Sequence, residues 1–232
     1  VDGARAAYRA AVFDMDGLLL DSERPVRAAW MSAAAALGVT LDPADYLTLI
    51  GLNHADSGAR LLELFGGDAS RLAAAGERVA AQLDGRFGRR PFDLKPGALD
   101  LLQALRDARV PCAVASSTHR VEVQRRLGNA GLLEFFAAVC GGDEVRRGKP
   151  APELYALALQ RLDAAASTSL AFEDSGHGVQ AALAAGLAVV AVPDLKPPAP
   201  AWQARCLAVL PSLEAVGAHG AEWFGFGRDG AA

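Results

Sequence analysis

The stretch "AVFDMDGLLLDSE", residues 11–23, decides how the rest of the chain is read. It opens as an apolar run of strand character and ends with Asp14 and Asp16 two positions apart, next to Gly17. A buried strand that runs straight into two carboxylates either makes a turn or holds a charge. What the other strands carry at their ends decides between the two.

The rest of the chain alternates. Short Val- and Ala-rich runs at residues 10–13, 110–115, 137–140, 169–172 and 188–192, with a further one at 206–209, predict strands. Segments with helical spacing of apolar residues lie between them, at 98–108, 120–130, 152–162 and 178–185. Strand and helix in strict alternation predict an α/β fold, a doubly wound parallel sheet covered on both faces. Ligands of such sheets bind beyond the carboxyl ends of the strands.

One segment departs from this rhythm. After the first strand the chain holds only helical patterns, at 24–37, 43–50, 55–65 and 70–87, separated by "TLDP" (40–43) and "FGGD" (65–68). A run of helices at this place predicts a separate subdomain of residues 22–91, inserted into a Rossmann-like core of residues 1–21 and 92–232. The tail from Pro193, beginning "PDLKPPAP", reads as loop, and the terminal "GFGRDGAA" as poorly ordered.

Composition narrows the classes of function. With 52% hydrophobic residues and a formal net charge of −4, the chain has enough apolar matter for a substantial core and no basic patch suited to nucleic acid. Its longest apolar runs, such as "GLAVVAV" (186–192), fall short of the ~20 residues of a membrane helix. No membrane partner and no cleavable leader are expected. The widely spaced Cys112, Cys140 and Cys206 suggest neither disulfides nor zinc, and a cytoplasmic monomer is the expectation. Only three of the 23 basic residues are lysines, Lys95, Lys149 and Lys196, so a lysine inside a motif carries weight.

The strand ends can then be compared. The first carries Asp14 and Asp16, the second Ser116, Ser117 and Thr118, the fourth Glu173, Asp174 and Ser175, and the loop "RGKPAPE" carries Lys149. Taken singly, each has a plain structural reading: a turn, a helix cap, a solvated loop lysine, a second cap. In a parallel sheet they converge on one rim, and their joint placement makes a site. Four carboxylates in a small space need counter-charge. Lys149 supplies part of it, and a hard divalent cation, Mg²⁺ rather than Zn²⁺, suits the all-oxygen remainder.

As a set, "DMDGLLLDSE" (14–23), "ASS" (115–117), "GKPAPE" (148–153) and "FEDSGHGVQAALAAG" (172–186) resemble the haloacid dehalogenase superfamily, in particular its β-phosphoglucomutase-like phosphatases with a helical cap. The resemblance spans residues 10–193 and implies a phosphatase acting on a small phosphorylated molecule. It implies that Asp14 is the nucleophile that forms an aspartyl phosphate and that Asp16 is the general acid and base. Mg²⁺ would then be held by Asp14, the Asp16 carbonyl and Asp174, with Glu173 supporting it as a further metal residue nearby. Ser116 and the Ser117 amide would bind phosphoryl oxygens, and Lys149 would neutralise the nucleophile and the transferred group. The inserted helices would be a lid hinged at residues 20–22 and 91–94.

Departures from the mutase choose within the group. Val26, Ile50 and His54 stand where a histidine, a lysine and an arginine that serve a sugar phosphate are expected. Water is therefore the expected acceptor, the substrate a sugar or polyol phosphate, and a mutase the runner-up, with dehalogenation further behind. Asn53 and His54 are the cap residues expected to face the substrate. A P-loop reading of "GGDEVRRGKP" (141–150) fails on spacing and on Pro150, which occupies the place of the required hydroxyl residue.

Overall fold

The short apolar runs become strands because each can be buried on both faces. In a computed structural model, which describes residues 7–50, 52, 54–87 and 92–226, they form β1 (Ala10–Phe13), β2 (Cys112–Ser116), β3 (Ala138–Gly141), β4 (Ser169–Glu173), β5 (Ala188–Ala191) and β6 (Ala208–Val209). All neighbours are parallel, in the order β3-β2-β1-β4-β5-β6. The chain winds outward from β1 to β3, then returns to lay β4 beside β1, with Phe13 opposite Phe172. The switch point therefore lies between β1 and β4, where an open α/β sheet leaves a crevice for ligand.

Side chains alternate across the sheet, and its two faces differ in bulk. One face presents Phe13, Val114, Val139, Leu170, Phe172 and Val190. Phe13 stacks on Phe172 at 4.8 Å between ring centroids. Over this face lie α5 (Ala98–Asp107), through Leu101, Leu102 and Leu105, and α6 (Arg120–Asn129), through Val123 and Leu127. The other face is mostly small, with Val12, Ala113, Ala115, Ala171, Val189 and Ala191. There α7 (Glu153–Leu162) and α8 (Gly176–Ala184) bring Leu154, Tyr155, Ala158 and Val179 to the sheet.

The inserted segment forms α1 (Glu23–Ala36), α2 (Pro43–Tyr46), α3 (His54–Leu64) and α4 (Ala69–Phe87), with no strand among its described residues. These helices pack around their own apolar cluster, including Ala33, Ala34, Leu41, Tyr46, Phe65, Ala75 and Val79. Beyond Tyr46 the predicted helix breaks into turns, with Thr48 and Leu49 donating three residues back. The two passages that join this segment to the sheet run side by side: Leu20 bridges Leu94, and the Asp21 amide donates to the Asp93 carbonyl at 2.8 Å.

The tail corrects the expectation of loop in part. Residues 192–199 are irregular and β6 falls within the expected 206–209, but α9 (Pro200–Gln203), a 3₁₀ segment Leu213–His219 and α10 (Gly220–Trp223) also form. Leu213, Val216, Trp223 and Phe224 are buried on the bulky face of the sheet, each fixed by ~1.5–3 kcal/mol of side-chain burial. Phe226 of "GFGRDGAA" packs there as well, whereas residues 227–232 lie outside the described residues. No helix among the described residues is long and apolar enough to cross a membrane.

Candidate active site

The β1 end is shaped by one tight turn. The Asp14 amide donates to the Phe172 carbonyl, and the chain then turns back so that Leu19 and Leu20 donate to the Met15 carbonyl. Gly17 allows this at φ +82, and a Cβ there would stand 2.4 Å from Asp174 Oδ2. Only glycine suits both the backbone and the space. Met15 points into the core while Asp14 and Asp16 reach the rim, as the period of two requires.

Lys149 enters from the loop before α7 and is 3% exposed. Its Nζ donates to Asp14 Oδ1 at 2.6 Å and to Glu173 Oε1 at 2.5 Å, above the Tyr155 ring. Glu173 is fully buried and fully engaged: Oε1 also accepts from the Tyr155 hydroxyl at 2.7 Å, and Oε2 from the Ser175 amide and hydroxyl. The absence of a Cβ at Gly178 leaves room for this carboxylate. Glu173 thus faces Lys149 from beneath the rim, whereas Asp14, Asp16 and Asp174 line the cavity above.

Asp16 sits in a different network. Its Oδ1 accepts from Ser22 Oγ and Arg126 Nη1, both at 2.7 Å, and its Oδ2 from Thr118 Oγ1 at 2.9 Å, with Ser116 Oγ at 3.4 Å. Arg126 is in turn held by Glu122 and lies over the Phe92 ring. Burial opposes its charge, yet Asp16 and Glu122 outweigh that and raise its pKa.

Electrostatics separates these groups. Burial, reinforced by the charges of Glu173 and Asp16 and opposed by Lys149, pushes Asp14 up to about 8. Burial beside Asp14 and Glu173 holds Asp174 well above the carboxylate range. Burial alone would lower Lys149, but Asp14 and Glu173 overcome it and raise its pKa. Glu23, at the start of α1, is pushed up to about 7 by desolvation and by Asp16 and Asp194. Carboxylates in this condition ionise together at neutral pH only with added positive charge.

These groups open into a cavity of about 430 Å³ between the rim and the inserted helices. Ser116, Ser117 and Lys149 line it from the sheet side, and Val26, Trp30, Tyr46, Leu49 and Ile50 from the helices. Asp14, Asp16, Ser116, Ser117, Lys149 and Asp174 therefore converge. Asn53 lies outside the described residues, and for His54 only the backbone, which opens α3, is described. Sequence reasoning missed Arg126, Tyr155, Ser22 and Glu23. The first three hold site residues and Glu23 lines the cavity. The only signals for them were a polar residue on an otherwise apolar helix face and the "DSE" that closes the first motif.

A parallel sheet with a buried lysine and clustered carboxylates at its switch point has its polar cluster where α/β proteins bind ligands. The family model for haloacid dehalogenase-like hydrolases matches residues 8–186, and the chain belongs to that family. It is 30% identical over 184 residues to the phosphorylated carbohydrates phosphatase of Thermotoga maritima, covering 77% of this chain and 82% of that one. It is 31% identical over 186 residues to the fructose-1-phosphate phosphatase of Escherichia coli, covering 80% and 96%. A crystal structure of CbbY from Rhodobacter sphaeroides in complex with xylulose-(1,5)bisphosphate superposes with a TM-score of 0.76 at 27% identity, over 90% of this chain and 96% of that one.

Proposed function

We propose that the protein is a Mg²⁺-dependent phosphatase that hydrolyses a small phosphomonoester, a sugar or polyol phosphate, through an aspartyl phosphate on Asp14. The observation that carries this reading is the Lys149 ammonium bridging Asp14 and Glu173 beneath a cavity that Asp14, Asp16 and Asp174 line. The family and the named activities of the relatives support it. The donor set fits Mg²⁺: oxygen only, few side chains, and carboxyls whose pKa values are raised by burial and by one another's charge. Among the described residues no three His, Cys, Asp or Glu side chains are placed to hold a metal ion by themselves, and Mg²⁺ commonly keeps several waters and binds through one or two carboxylates.

Asp14 and Asp174 would hold the ion with the Asp16 backbone carbonyl. When bound, it would offset the charge of the carboxylates and of the phosphoryl group as a Lewis acid. An Asp14 oxygen attacks phosphorus while the bond to the leaving oxygen breaks, and Asp16 gives that oxygen its proton. Water then attacks the phosphorus of phospho-Asp14, Asp16 takes its proton, and the Asp14 carboxylate and free phosphate are released. Ser116 and the Ser117 amide hold the non-bridging oxygens, and Lys149 offsets charge on nucleophile and transferred group. Glu173 serves as the anchor of Lys149 instead of a metal ligand, because both of its oxygens are already occupied.

The segment 22–91 acts as the lid, turning about the paired passages at Leu20 and Leu94; of the second expected hinge, Pro91 lies outside the described residues. Val26 and Ile50 line the cavity as apolar groups, which favours water over a second sugar phosphate as acceptor and so hydrolysis over mutase chemistry. Dehalogenation has no need of a metal-ready Asp174. Phosphate release should be measured across sugar, polyol and nucleotide monophosphates and β-glucose 1-phosphate, with and without Mg²⁺, beside Asp14→Asn. Release that needs Mg²⁺ and disappears in the variant is expected; release that persists in Asp14→Asn would overturn the reading.

A further inference from the structure

Asp194 follows β5 in the loop 192–199 and takes no part in the chemistry above. Its side chain is only 1% exposed. One oxygen is doubly engaged: Oδ1 accepts from Arg24 Nη1 at 2.7 Å and from Lys95 Nζ at 2.6 Å. Arg24 opens the segment 22–91 in α1 and Lys95 follows its return, so this oxygen ties both passages to the sheet. The other oxygen, Oδ2, is buried without a hydrogen-bond partner.

A buried carboxylate oxygen left unpaired costs ~1–3 kcal/mol or more and in native proteins usually has a water, proton or ion beside it. The surroundings of Oδ2 identify which. The point where Gly17 would carry a Cβ lies 2.4 Å from Asp174 Oδ2 and 3.5 Å from Asp194 Oδ2. The free oxygen therefore shares the small space over Gly17 with the very carboxylate assigned to the metal. A second carboxylate facing that space is tolerable if something carrying positive charge or donor hydrogens lies between.

We infer that Asp194 is an outer partner of the metal centre, its Oδ2 accepting a hydrogen bond from a water held by the divalent cation at Asp14 and Asp174. The inference rests on the proposed metal reading and adds to it a residue outside the four motifs. It also gives one carboxylate two tasks. Oδ2 orients the ion's water while Oδ1 grips the two passages of the lid, so the occupied metal site and the seat of the inserted helices depend on the same side chain. Outer partners of this kind typically change metal affinity 10–100-fold when removed.

The test is direct binding of Mn²⁺, followed by electron paramagnetic resonance, to the full chain and to Asp194→Asn, Asp174→Asn and Arg24→Ala. Asp194→Asn should weaken Mn²⁺ at least 10-fold, Asp174→Asn should abolish binding, and Arg24→Ala, which loosens only the grip on one passage, should stay within about threefold of wild type. Wild-type affinity in Asp194→Asn beside a dead Asp174→Asn overturns the inference and leaves the metal reading standing. Wild-type affinity in both overturns the two together. Equal losses in Asp194→Asn and Arg24→Ala assign Asp194 to the hinge alone and likewise overturn it. Should Asp194→Asn not fold, a crystal structure of the Mg²⁺-loaded wild type decides: an ion-bound water within hydrogen-bond distance of Asp194 Oδ2 is expected, and an empty or directly ligating Oδ2 refutes it.

Discussion

Replacing Lys149 with Met removes one charge and keeps most of the side-chain volume. In the wild type the ammonium offsets Asp14 at 2.6 Å and Glu173 at 2.5 Å, and none of the three side chains is more than 10% exposed. The variant leaves two carboxyls facing each other, Glu173 fully buried and Asp14 nearly so. Removing one member of a buried ion pair costs about 3–5 kcal/mol because the remaining charge is uncompensated. Against a total stability of about 5–15 kcal/mol that is a large share, and for a chain of this size it lowers Tm by roughly 6–20 °C. The loss depends on pH with a definite sign. Asp14 is already pushed up to about 8, and without Lys149 it holds its proton to still higher pH, so the deficit widens as pH rises above about 8 and changes little below it. Urea unfolding at pH 6, 8 and 9.5 measures both, and phosphate release should fall at least 100-fold beside it. A Lys149→Met protein within 1 kcal/mol of wild type at pH 8 would refute the reasoning that this ammonium neutralises the site.

Further outcomes follow from the same geometry. Because the native state keeps a proton on Asp14 up to about pH 8 and the unfolded chain releases it near 4, the metal-free protein should lose stability as pH rises between these values. Mg²⁺ at 100 times its Kd should restore about 2.7 kcal/mol at pH 8 and much less at pH 5.5, read by thermal unfolding. Gly17→Ala should cost about 1–2 kcal/mol for the left-handed backbone and weaken Mn²⁺ binding, since its Cβ displaces the Asp174 carboxylate; unchanged binding would contradict the crowding described. Asp16→Asn given an activated aryl phosphate should release one burst of phenol and stall as phospho-Asp14, visible by intact mass spectrometry. Tyr155→Phe should lower kcat about tenfold with little effect on KM, by freeing Glu173 to shift under Lys149.

How much of this was legible beforehand depended on periodicity. Residues 10–13 and 169–172 were readable as strands because an uninterrupted apolar run bounded by polar residues has few other uses, and both ladders formed within a residue of expectation. The C-terminal packing was not, since Leu213, Val216, Trp223 and Phe224 are scattered among Gly, Ala and His without a sustained period of 3.6 or 2. For the site, carboxylates at the ends of parallel strands must share a rim, so Asp14, Asp16, Ser116 and Asp174 could be grouped without coordinates. Arg126 and Tyr155 reach the same place from helix faces, where a turn of 100° per residue and a long side chain leave the target undetermined. Asp194 was hidden for another reason: a loop after the fifth strand carries no pattern, and its partners Arg24 and Lys95 lie far away in the chain.

The alanine-lined face of the sheet has a bearing on how this molecule tolerates change. Ala113, Ala115 and Ala171 set the height at which α7 rides, and α7 carries Tyr155, whose hydroxyl meets Glu173 under Lys149. A methyl or two added beneath that helix would act as a shim, lifting the tyrosine from its carboxylate and loosening the ammonium without touching any group that meets substrate. On the opposite face, where Phe13 and Phe172 stack, α6 carries Arg126 to Asp16 and is constrained in the same way, but under α5, which brings no group to the site, the same increment is a matter of packing alone. Selection for thermal robustness therefore has freer play beneath α5, whereas beneath α7 the spacing of helix from sheet is part of the instrument's calibration.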